Sequence, residues 1–441
     1  MKIHSVRWAR FVSVSASVFV LSQSVAAAQT PAVSQVDHAH LSLGAPEGPA
    51  LSLNAAIDEA LARNPDLAFI RSQVEPLRTR PGQERGLAPP MLEAQIWQWP
   101  INTLNPANAN MYALMVTQEL PGRGKRALRA AVAQKDVDIA TNEIAIRERQ
   151  VVDGVKQAYA DLFVARKAAD IHLAHVDIVR QIEQASQAKY AAGRISQQDV
   201  LKAVVELSSL HEHLVMFDEQ ASMATVRLNT LLDRPAAAPI GPLTELVERP
   251  LSATVDQLMS TAVERHPELS AARLSVERAE AELGVAAADY KPDFSVQGGY
   301  ALMPGQTDAL MARVGVTWPS APWSRGRLDM RKAEMAAAVS AAKARVRAIE
   351  SGVRLAVQEA YIRASAAWQR MVLFRTTIVP QARQTLDVSR IAYQTDRADF
   401  RTMLENERTV LEAELNYYKA LVDFEQASAD LERASGTEFQ R

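Results

Sequence analysis

The stretch from Lys125 to Ala192 contains no proline and a single glycine, Gly154. Its first apolar residues recur at intervals of four and seven: Leu128, Val132, Ile139 and Ile146. This spacing predicts one amphipathic α-helix. At 1.5 Å per residue the helix would be about 100 Å long, and in water such a helix needs other long helices to pack against. The chain is therefore expected to form an elongated bundle of helices.

A glycine ends this helix, and a similar interruption recurs in the second half of the chain. The sequence AKYAAGRISQQDVL (188–201) matches IAYQTDRADFRTML (391–404), with tyrosine, arginine and leucine in the same places. Helical patterns resume at 196–232 and 400–434. A tight turn between two long helices makes them antiparallel. The pattern therefore predicts a helical hairpin in each half of the chain.

Landmark residues of the two halves align in order at one constant offset. The matching pairs are Pro65 with Pro267, Pro90 with Pro292, Gly124 with Gly326, and Tyr159 with Tyr361. The second half then has one extra residue before Tyr393, which matches Tyr190. Self-similarity over this length predicts an internal duplication.

The predicted organisation follows from this duplication. It comprises a signal peptide (1–28), a flexible segment (29–50), a first repeat (51–237, tip near 193), a linking segment (238–253), a second repeat (254–436, tip near 396) and a tail (437–441). The long helix of the second repeat is predicted at 327–394 with a kink at Pro380. Pro76 and Pro81 leave the shape of the early helix in the first repeat open.

Each repeat also contains two segments with the period of a β-strand. They are 91–99, 111–120, 293–302 and 310–318, in which apolar residues alternate with polar or small ones. Strands of about nine or ten residues with one apolar face are typical of outer-membrane barrels. The tryptophans expected at the membrane interfaces are Trp97, Trp99, Trp318 and Trp323. The alternative is two ordinary hairpins packed on a helical bundle.

Four strands cannot close a barrel, and an open edge in lipid would leave backbone groups without hydrogen-bond partners. Several copies must therefore share one barrel. The predicted fold class is mainly α with a small β part, in which long antiparallel helical hairpins form an α-barrel. Each protomer adds four strands to a shared trimeric transmembrane β-barrel.

The N-terminus has the pattern of a secretory signal. Lys2, Arg7 and Arg10 precede an apolar stretch that ends at Leu21, and small residues precede an expected cleavage after Ala28. The sequence contains no cysteine, so an acyl anchor on cysteine is excluded and a lipoprotein is not expected. A net charge of -2 lacks the basic excess of nucleic-acid-binding proteins, which excludes nucleic acid as a partner.

Four motifs carry a resemblance that covers nearly the whole mature chain: ALARNPDL (60–67), ELPGRGKRALRA (119–130), YAAGRISQQDVL (190–201) and ALVDFEQASADLERASG (420–436). They resemble the TolC family of outer-membrane efflux ducts. The resemblance implies a homotrimer with a barrel in outer-membrane lipid and a periplasmic α-barrel. It also implies two partners, a periplasmic membrane-fusion adaptor and an inner-membrane RND-type pump. The PGRGKR turn and residues 379–400 are most similar to the heavy-metal efflux branch typified by CzcC and CusC.

The resemblance also implies roles for residues at the hairpin tips. The residues placed at the closed periplasmic end are Asp199, Thr402 and Glu405. Carboxylates around a constriction would attract cations. The alternative is that these residues only form a solvated helix face. The residues expected to dock the adaptor are Gly193, Arg194, Ile195, Ser196, Asp396, Arg397, Ala398 and Asp399. Asp396 stands where the first tip has a glycine, whose conformational freedom suits a turn.

Basic residues cluster where the second strand of each repeat leads into a long helix. They are Arg123, Lys125, Arg126, Arg129, Arg325, Arg327, Arg331 and Lys332. A basic collar at the barrel base would face anionic headgroups, and ordinary helix-start charges are the alternative. The sequence GRGKRA (122–127) also fits a dinucleotide-binding loop. The preceding strand alternates and no βαβ unit follows, which argues against nucleotide binding.

Histidine pairs raise the question of a metal site. They are His38 with His40, His172 with His175, and His211 with His213. Only His172 and His175 share a helical face and no third ligand is close in sequence, so we predict no metal site and no cofactor.

These patterns favour a passive outer-membrane conduit, and the resemblance implies that its cargo is heavy-metal cations. A multidrug or type I protein-secretion duct and a periplasmic coiled-coil adaptor are the alternatives, although an adaptor would not need lipid-facing strands. No hydrolase motif is present in the sequence, and we do not expect an enzyme.

Overall fold

The computed structural model describes residues 48–102, 105–246, 248–395 and 397–437. These residues form long α-helices and one small antiparallel sheet, which confirms the predicted mainly α fold with a small β part. The predicted signal peptide, most of the 29–50 segment and nearly all of the tail lie outside the described residues.

The two halves contain corresponding elements. The first half has α1 (Leu53–Arg63), α2 (Pro65–Arg85), β1 (Met91–Trp97), β2 (Met111–Leu120), α3 (Lys125–Ala191) and α4 (Gln197–Leu231), with a 3-10 turn (Pro106–Asn108) between the strands. The second half has α5 (Val255–Arg265), α6 (Pro267–Ala288), β3 (Asp293–Leu302), β4 (Ala309–Thr317), α7 (Arg325–Leu373), a π-helical turn (Phe374–Ile378), α8 (Val379–Gln394) and α9 (Phe400–Ser435).

Prolines start α2 and α6 at matching places. Pro65 and Pro267 each occupy the first turn, where a missing N–H costs no intrahelical bond. Asn64 accepts hydrogen bonds from two backbone N–H groups of this turn (3.0 and 3.3 Å). Its amide also donates to the carbonyl of Leu231 (3.0 Å), so this helix start also anchors the end of α4.

Helix α2 continues through both of its internal prolines and ends at Arg85. Pro76 and Pro81 remove two intrahelical N–H donors, and Pro81 is buried against the rest of the fold. The helix whose shape the sequence left open is therefore continuous.

The sheet has the order β1-β2-β3-β4, with every pair antiparallel. Its register aligns Leu114 with Tyr300 and Tyr300 with Leu310, so the apolar side chains share one face. That face is exposed, with Leu114 at 53% and Leu310 at 87%. The opposite face buries a cluster of Ala113, Met115 and Ala301. Within the described part of the chain β1 and β4 each pair on one side only, so the sheet has two open edges.

Gly299 of β3 lies opposite Met115 of β2. A Cβ at this position would lie 2.3 Å from the sulfur of Met115 and 2.4 Å from the carbonyl oxygen of Leu114. A Cβ at the neighbouring Gly298 would approach no atom nearer than 4.0 Å. Packing therefore demands glycine at 299 and tolerates a side chain at 298.

Two predicted strands have different ends in the structure. β1 stops at Trp97, short of the predicted residue 99, because Gln98 has a φ of 53° and leaves the extended conformation. β4 is displaced by one residue and ends at Thr317, so Trp318 follows the strand. The bounds of β2 and β3 are those predicted.

The long helices lie side by side in a fixed order. α3 packs against α4 on one side and α9 on the other, and α9 in turn packs against α7 and α8. Near the sheet, α2, α3, α6 and α7 follow one another in the same way. Over the described ranges, no helix is both long and apolar enough to cross a membrane.

Three apolar clusters hold this arrangement together. The first packs α1 and α4 on α3 around Leu162, and the second packs α5 and α9 on α7 around Val357. The third joins the halves through Phe163 of α3, Met371 of α7 and Leu421 of α9. Burial along the contact between α3 and α9 therefore fixes the two hairpins to each other.

The long helix is interrupted just before Pro380, where a kink was predicted. α7 gives way to the π-helical turn Phe374–Ile378, and α8 begins directly afterwards. Proline lacks an N–H and its ring clashes with the carbonyl four residues earlier, here that of Thr376. A π turn takes up one residue more than an α turn. It lies in the interval where the second half has its extra residue.

Candidate functional site

Both hairpin tips lie at the same end of the molecule. A cluster that includes Ile182, Ala203, Tyr393 and Phe400 draws on α3, α4, α8 and α9 just behind the tips. Nζ of Lys189 donates to the carbonyl of Tyr393 (2.8 Å) and lies 3.9 Å from the centroid of its ring. This contact joins the end of the first hairpin to the second, and no pattern in the sequence indicates it.

The first tip is a glycine turn. Gly193 has a φ of 68°, in the left-handed region, and the N–H groups of Gly193 and Arg194 donate to carbonyls of the last turn of α3 (2.9 Å each). Arg194 and Ser196 are exposed, and Ile195 is half-buried. The predicted docking residues of this tip therefore form a compact, largely accessible turn.

The second tip is built without a glycine at its described positions. The backbone N–H of Arg397 donates to the carbonyl of Ala392 (2.7 Å). Oδ1 of Asp399 accepts a hydrogen bond from the N–H of Thr402 (2.9 Å) and so caps α9. Ala398 lies between them, half-buried. The predicted docking residue Asp396 lies outside the described residues.

The three candidate gate residues lie near the N-terminal ends of α4 and α9. Asp199 accepts a hydrogen bond from Oγ of Ser196 (2.9 Å), and Glu405 accepts one from Nε of Arg401 (2.9 Å). The side chain of Glu405 is 58% exposed. These contacts are those of helix caps and surface pairs, and a constriction lined by Asp199, Thr402 and Glu405 is a proposal about the assembled channel.

A buried ionic cluster, which the sequence analysis missed, joins the two hairpins behind the tips. Nδ1 of His175 on α3 lies 2.5 Å from Oε1 of Glu407, and its Nε2 lies 3.4 Å from Oε2 of Glu414, both on α9. Glu414 also accepts a hydrogen bond from Nε of Arg383 on α8 (2.7 Å). We call these four residues the hairpin joint. Glu407 is 0% exposed, which makes the joint part of the interior.

The electrostatics of the hairpin joint favour a charged imidazole. Burial by itself lowers the pKa of His175, but the hydrogen bonds to Glu407 and Glu414 outweigh it and raise the pKa to about 9. The hydrogen bond from His175 holds the pKa of Glu414 below its ordinary value, with Arg383 acting in the same direction and burial opposing. At neutral pH a cation therefore lies between two carboxylates.

A signal for the joint was present in the sequence. Glu407 and Glu414 are seven residues apart, and this spacing puts both on one face of α9 together with buried apolar residues. A second pair, Glu206 of α4 with Arg408 of α9, follows the same logic, because Nε of Arg408 lies 2.9 Å from Oε2 of the buried Glu206. Carboxylates on an apolar face indicate buried cationic partners.

His172 and His175 share a helical face but contact different helices. Nε2 of His172 lies 3.3 Å from Nδ1 of His213 on α4, whereas His175 faces α9. His172 is 1% exposed and packs on Phe217, with ring centroids 4.8 Å apart. In the described part of the chain no group of three or more histidine, cysteine or acidic residues could hold a metal ion.

The predicted basic collar is wrong at Lys125. This residue is 4% exposed, and its Nζ donates to Oδ2 of Asp293 (2.9 Å) at the start of β3. The N–H of Gly122 donates to the other carboxylate oxygen (2.6 Å), and a Cβ at Gly122 would lie 2.4 Å from the carbonyl oxygen of Pro292. The GRGKRA segment, which connects β2 to α3, therefore contacts the start of β3. This contact accounts for Gly122 and Lys125 without a nucleotide.

The other predicted collar residues lie beside the sheet, just before α3 or near the N-terminal ends of α3 and α7: Arg123, Arg126, Arg129, Arg325, Arg327, Arg331 and Lys332. Most are exposed, and the half-buried Arg126 donates to the carbonyl of Arg85 (2.8 Å). Positive charge at a helix N-terminus opposes the helix dipole. Two of these charges have acidic partners within the chain, because Arg325 lies 3.9 Å from Asp329 and Arg331 lies 3.7 Å from Asp289.

The four tryptophans lie at opposite ends of the sheet. Trp97 ends β1 at the end remote from the helices, and Trp99 follows it. Trp318 and Trp323 lie between β4 and α7, at the helix end, with ring centroids 6.1 Å apart. All four are exposed, from 47% at Trp99 to 84% at Trp323. Large aromatic side chains at both ends of an exposed apolar sheet are typical of a membrane-spanning strand region.

Comparison with known families agrees with this geometry. A family model described as outer membrane efflux protein matches residues 56–234 and, a second time, residues 258–437. The chain belongs to the outer membrane efflux protein family. The two matches fall on the two halves that the constant sequence offset relates.

Known members of this kind show similar sequence and fold. The cobalt-zinc-cadmium resistance protein CzcC of Cupriavidus metallidurans is 24% identical over 361 residues, which cover 80% of this chain and 82% of CzcC. Three solved structures are similar along most of their length: the outer-membrane channel OprN (TM-score 0.74, 19% identity, 88% of this chain and 91% of that one), VceC of Vibrio cholerae (0.73, 20%, 88% and 97%) and CusC (0.72, 15%, 88% and 92%). These structures show the fold.

The resemblance to TolC-family ducts that the motifs predicted is thereby confirmed. This member of the outer membrane efflux protein family is an outer-membrane efflux channel.

Proposed function

We propose that this channel is the exit duct of a tripartite metal-efflux system and passively conducts heavy-metal cations to the exterior. A periplasmic membrane-fusion adaptor and an inner-membrane RND-type pump would complete the system. Similarity to CzcC, a cobalt-zinc-cadmium resistance protein, supports the metal cargo. Cleavage of residues 1–28 would deliver the mature chain to the outer membrane without a lipid anchor.

The observation that carries the proposal is the four-stranded sheet with two open edges and one exposed apolar face. In lipid, each backbone group of an unpaired edge that lacks a hydrogen bond costs about several kcal/mol, as does any buried amide without a partner. β4 of one copy can pair with β1 of the next, and such head-to-tail contacts close into a ring. A homotrimer of this kind removes every edge.

The outer helices support the same ring. Exposed apolar side chains on α4 are Leu201, Val205, Val215, Met216, Met223 and Val226, and those on α7 and α8 are Leu355, Ile362, Leu373, Val388 and Ile391. α4 lies beyond α3, and α7 and α8 lie beyond α9, so the two stripes are on opposite sides of the protomer. The α4 stripe of one copy would pack on the α7–α8 stripe of its neighbour.

The level of the membrane follows from the aromatic and basic residues at the ends of the sheet. Trp97 and Trp99 would lie at the outer interface, and Trp318 and Trp323 at the inner one. The seven exposed or half-buried basic residues beside the sheet would face anionic headgroups on the periplasmic side.

The hairpin tips are then at the far periplasmic end, where the adaptor would dock on residues 193–196 and 396–399. Asp199, Thr402 and Glu405 lie next to these turns. Three copies would bring their carboxylates into a ring that attracts cations at the narrow end of the tunnel.

The metal cargo is tested by growth of a strain that lacks the channel. We expect sensitivity to cobalt, zinc or cadmium salts, restored by the wild-type gene and by Gly298→Ala. Gly299→Val should fail to restore resistance, because its side chain would collide with Met115 and with the β2 backbone. Immunoblots of outer-membrane fractions control for expression. Sensitivity to dyes and antibiotics without sensitivity to metals would contradict the proposed metal cargo. It would not contradict the proposal that the protein is an exit duct.

Docking is tested by site-specific crosslinking, which the absence of cysteine makes simple, since each introduced thiol is unique in the chain. Arg194→Cys and Arg397→Cys should crosslink to the adaptor, whereas Lys343→Cys, exposed on α7 far from the tips, should not. Crosslinks confined to Lys343→Cys would contradict docking at the tips.

The gate is tested by single-channel recording of the reconstituted trimer. Glu405→Ala should change conductance or cation selectivity, and Glu412→Ala, exposed further along α9, should not. Unchanged conductance and selectivity in Glu405→Ala would remove this residue from the gate.

A further inference from the structure

Two imidazoles from the two helices of the first hairpin meet in the structure. Nε2 of His172 on α3 lies 3.3 Å from Nδ1 of His213 on α4, with ring planes at 79°. This separation is at the long end of the hydrogen-bond range, so Nδ1–H of His213 can donate to Nε2 of His172. Two nitrogens that each lie about 2.0–2.1 Å from one tetrahedral ion would be about 3.3–3.4 Å apart. The separation therefore suits a shared ion at least as well as a shared proton.

The outer nitrogen of His172 has the kind of oxygen partner that orients metal-binding histidines. Nδ1 of His172 lies 2.9 Å from the carbonyl oxygen of Ala168, to which it can only donate. The neutral ring then presents the lone pair of Nε2 to His213. Nε2 of His213 lies 3.6 Å from a carboxylate oxygen of Glu212, beyond hydrogen-bond distance.

The two rings differ in accessibility in a way that suits an exchangeable site. His172 is 1% exposed and fixed against Phe217, whereas the side chain of His213 is 42% exposed. An ion can therefore reach the pair from solvent. Since the described residues offer no group of three or more protein ligands, water would complete its coordination.

We propose that Nε2 of His172 and Nδ1 of His213 form a two-histidine site for one divalent transition-metal ion, which joins α3 to α4 within the first hairpin. Imidazole favours zinc, nickel and copper over magnesium and calcium. The ion takes the place of the proton between the two rings, and that proton moves from Nδ1 to Nε2 of His213, so both imidazoles stay neutral. Phe374 occupies the place of His172 in the second half, so the site belongs to the first hairpin alone. It does not rest on the cargo proposed above.

The test uses the purified full-length channel without a histidine tag. His38 and His40 are changed to alanine in every sample, because this pair is a potential metal ligand outside the described residues. Zinc binding is measured by calorimetry and by the shift in melting temperature. We expect one zinc ion per chain and a raised melting temperature. His213→Ala should weaken binding by at least about tenfold, since loss of a second-shell partner alone costs about 10–100-fold.

His211→Ala is the matched control on the same helix. Nδ1 of His211 lies 2.7 Å from the carbonyl oxygen of Leu207, and this residue is not part of the pair, so its variant should keep the parent affinity. Absence of zinc binding in the parent, unchanged affinity in His213→Ala, or equal loss in both variants would overturn the proposal.

X-ray absorption at the zinc edge gives a readout that does not depend on how the variants fold. The zinc-loaded parent should show two imidazole ligands together with oxygen donors. A first shell of oxygen alone would overturn the two-histidine site. Because both measurements use purified protein, their outcome is independent of whether metals or drugs pass through the duct.

Discussion

The two long hairpins share a sequence pattern but occupy different places in the protomer. α3 of the first half lies between α4 and α9, whereas α7 of the second half lies at an edge. Tyr159 is 0% exposed, and its hydroxyl bonds to the carbonyl oxygen of Leu51 (3.0 Å), while its counterpart Tyr361 is half-buried. Lys125 is buried against Asp293, while Arg327 in the matching place is exposed.

This comparison shows that a repeated pattern determines which element forms, while the neighbours of that element determine how deeply it is buried. In the first hairpin α3 lies inside and α4 forms a flank, whereas in the second hairpin α9 lies inside and α7 with α8 forms the flank. The helix that follows the strands is therefore buried in the first half and lies at an edge in the second. The hairpin joint connects these two environments, so changes there should have the largest effects.

The largest effect is expected at the hairpin joint. His175→Ala removes the cation that bonds to Glu407 and Glu414, and it leaves the fully buried Glu407 without this partner, while Glu414 keeps Arg383. Breaking a buried ion pair from one side costs about 3–5 kcal/mol. The free energy of unfolding, from urea titration in detergent at a fixed protein concentration, should fall by that amount. His211→Ala should change it by no more than about 0.5 kcal/mol, and an equally small change in His175→Ala would contradict the inner role of α3.

The same joint predicts a dependence of stability on pH. The pKa of His175 in the folded chain is raised from 6.5 to about 9, so its contribution is complete below about pH 6.5. It should decline as the pH rises to 9 and beyond, by at most about 3 kcal/mol. His175→Gln should lack this decline between pH 6.5 and 9. A wild-type protein whose stability is flat across that window would show that the imidazole is neutral.

A smaller effect should separate the matched tyrosines. Tyr159→Phe removes a buried hydroxyl that bonds to Leu51 and Thr244, and it leaves their oxygens without this donor. We expect a loss of about 1–3 kcal/mol in the free energy of unfolding. Tyr361→Phe, at the edge, should cost about 0.5 kcal/mol or less. Equal losses would show that both helices are equally buried in the assembled protein.

The smallest effect should distinguish the two tips. Gly193→Ala puts a Cβ at a φ of 68° and should cost about 1–2 kcal/mol. Thr395→Ala, at the matching turn, keeps a φ of -94° and should cost about 0.5 kcal/mol or less. Thermal unfolding followed by circular dichroism measures both. A greater loss in Thr395→Ala would show that the second tip is the more constrained.

Much of the fold could be predicted from local patterns. The apolar residues of β2, β3 and the long helices recur at regular intervals. Gly193 could also be assigned to a turn, because its positive φ is a conformation that glycine adopts readily. The end of β1 could not be predicted, because the positive φ of Gln98 is a property of that turn and not of its residue type.

The candidate site was harder to predict because its contacts join distant parts of the chain. Lys125 looks like any basic residue at a helix start, and only the arrival of Asp293 from the other half buries it. The sequence paired His172 with His175 by spacing, but the neighbouring helices α4 and α9 draw them to different partners. Where a side chain finds its partner across a helix interface, spacing along one helix cannot identify that partner.

The π-helical turn at Phe374–Ile378 has a consequence for chain length. One added residue in a regular α-helix would rotate everything after it by about 100° and turn the apolar face of α8 away from α9. The wide turn absorbs that residue locally, so Leu386 and Tyr393 still face the interior. Deletion of Thr377 should therefore give an uninterrupted helix in a protein that still folds. Deletion of one residue within α3 should instead rotate every later residue of α3 away from its packing partners.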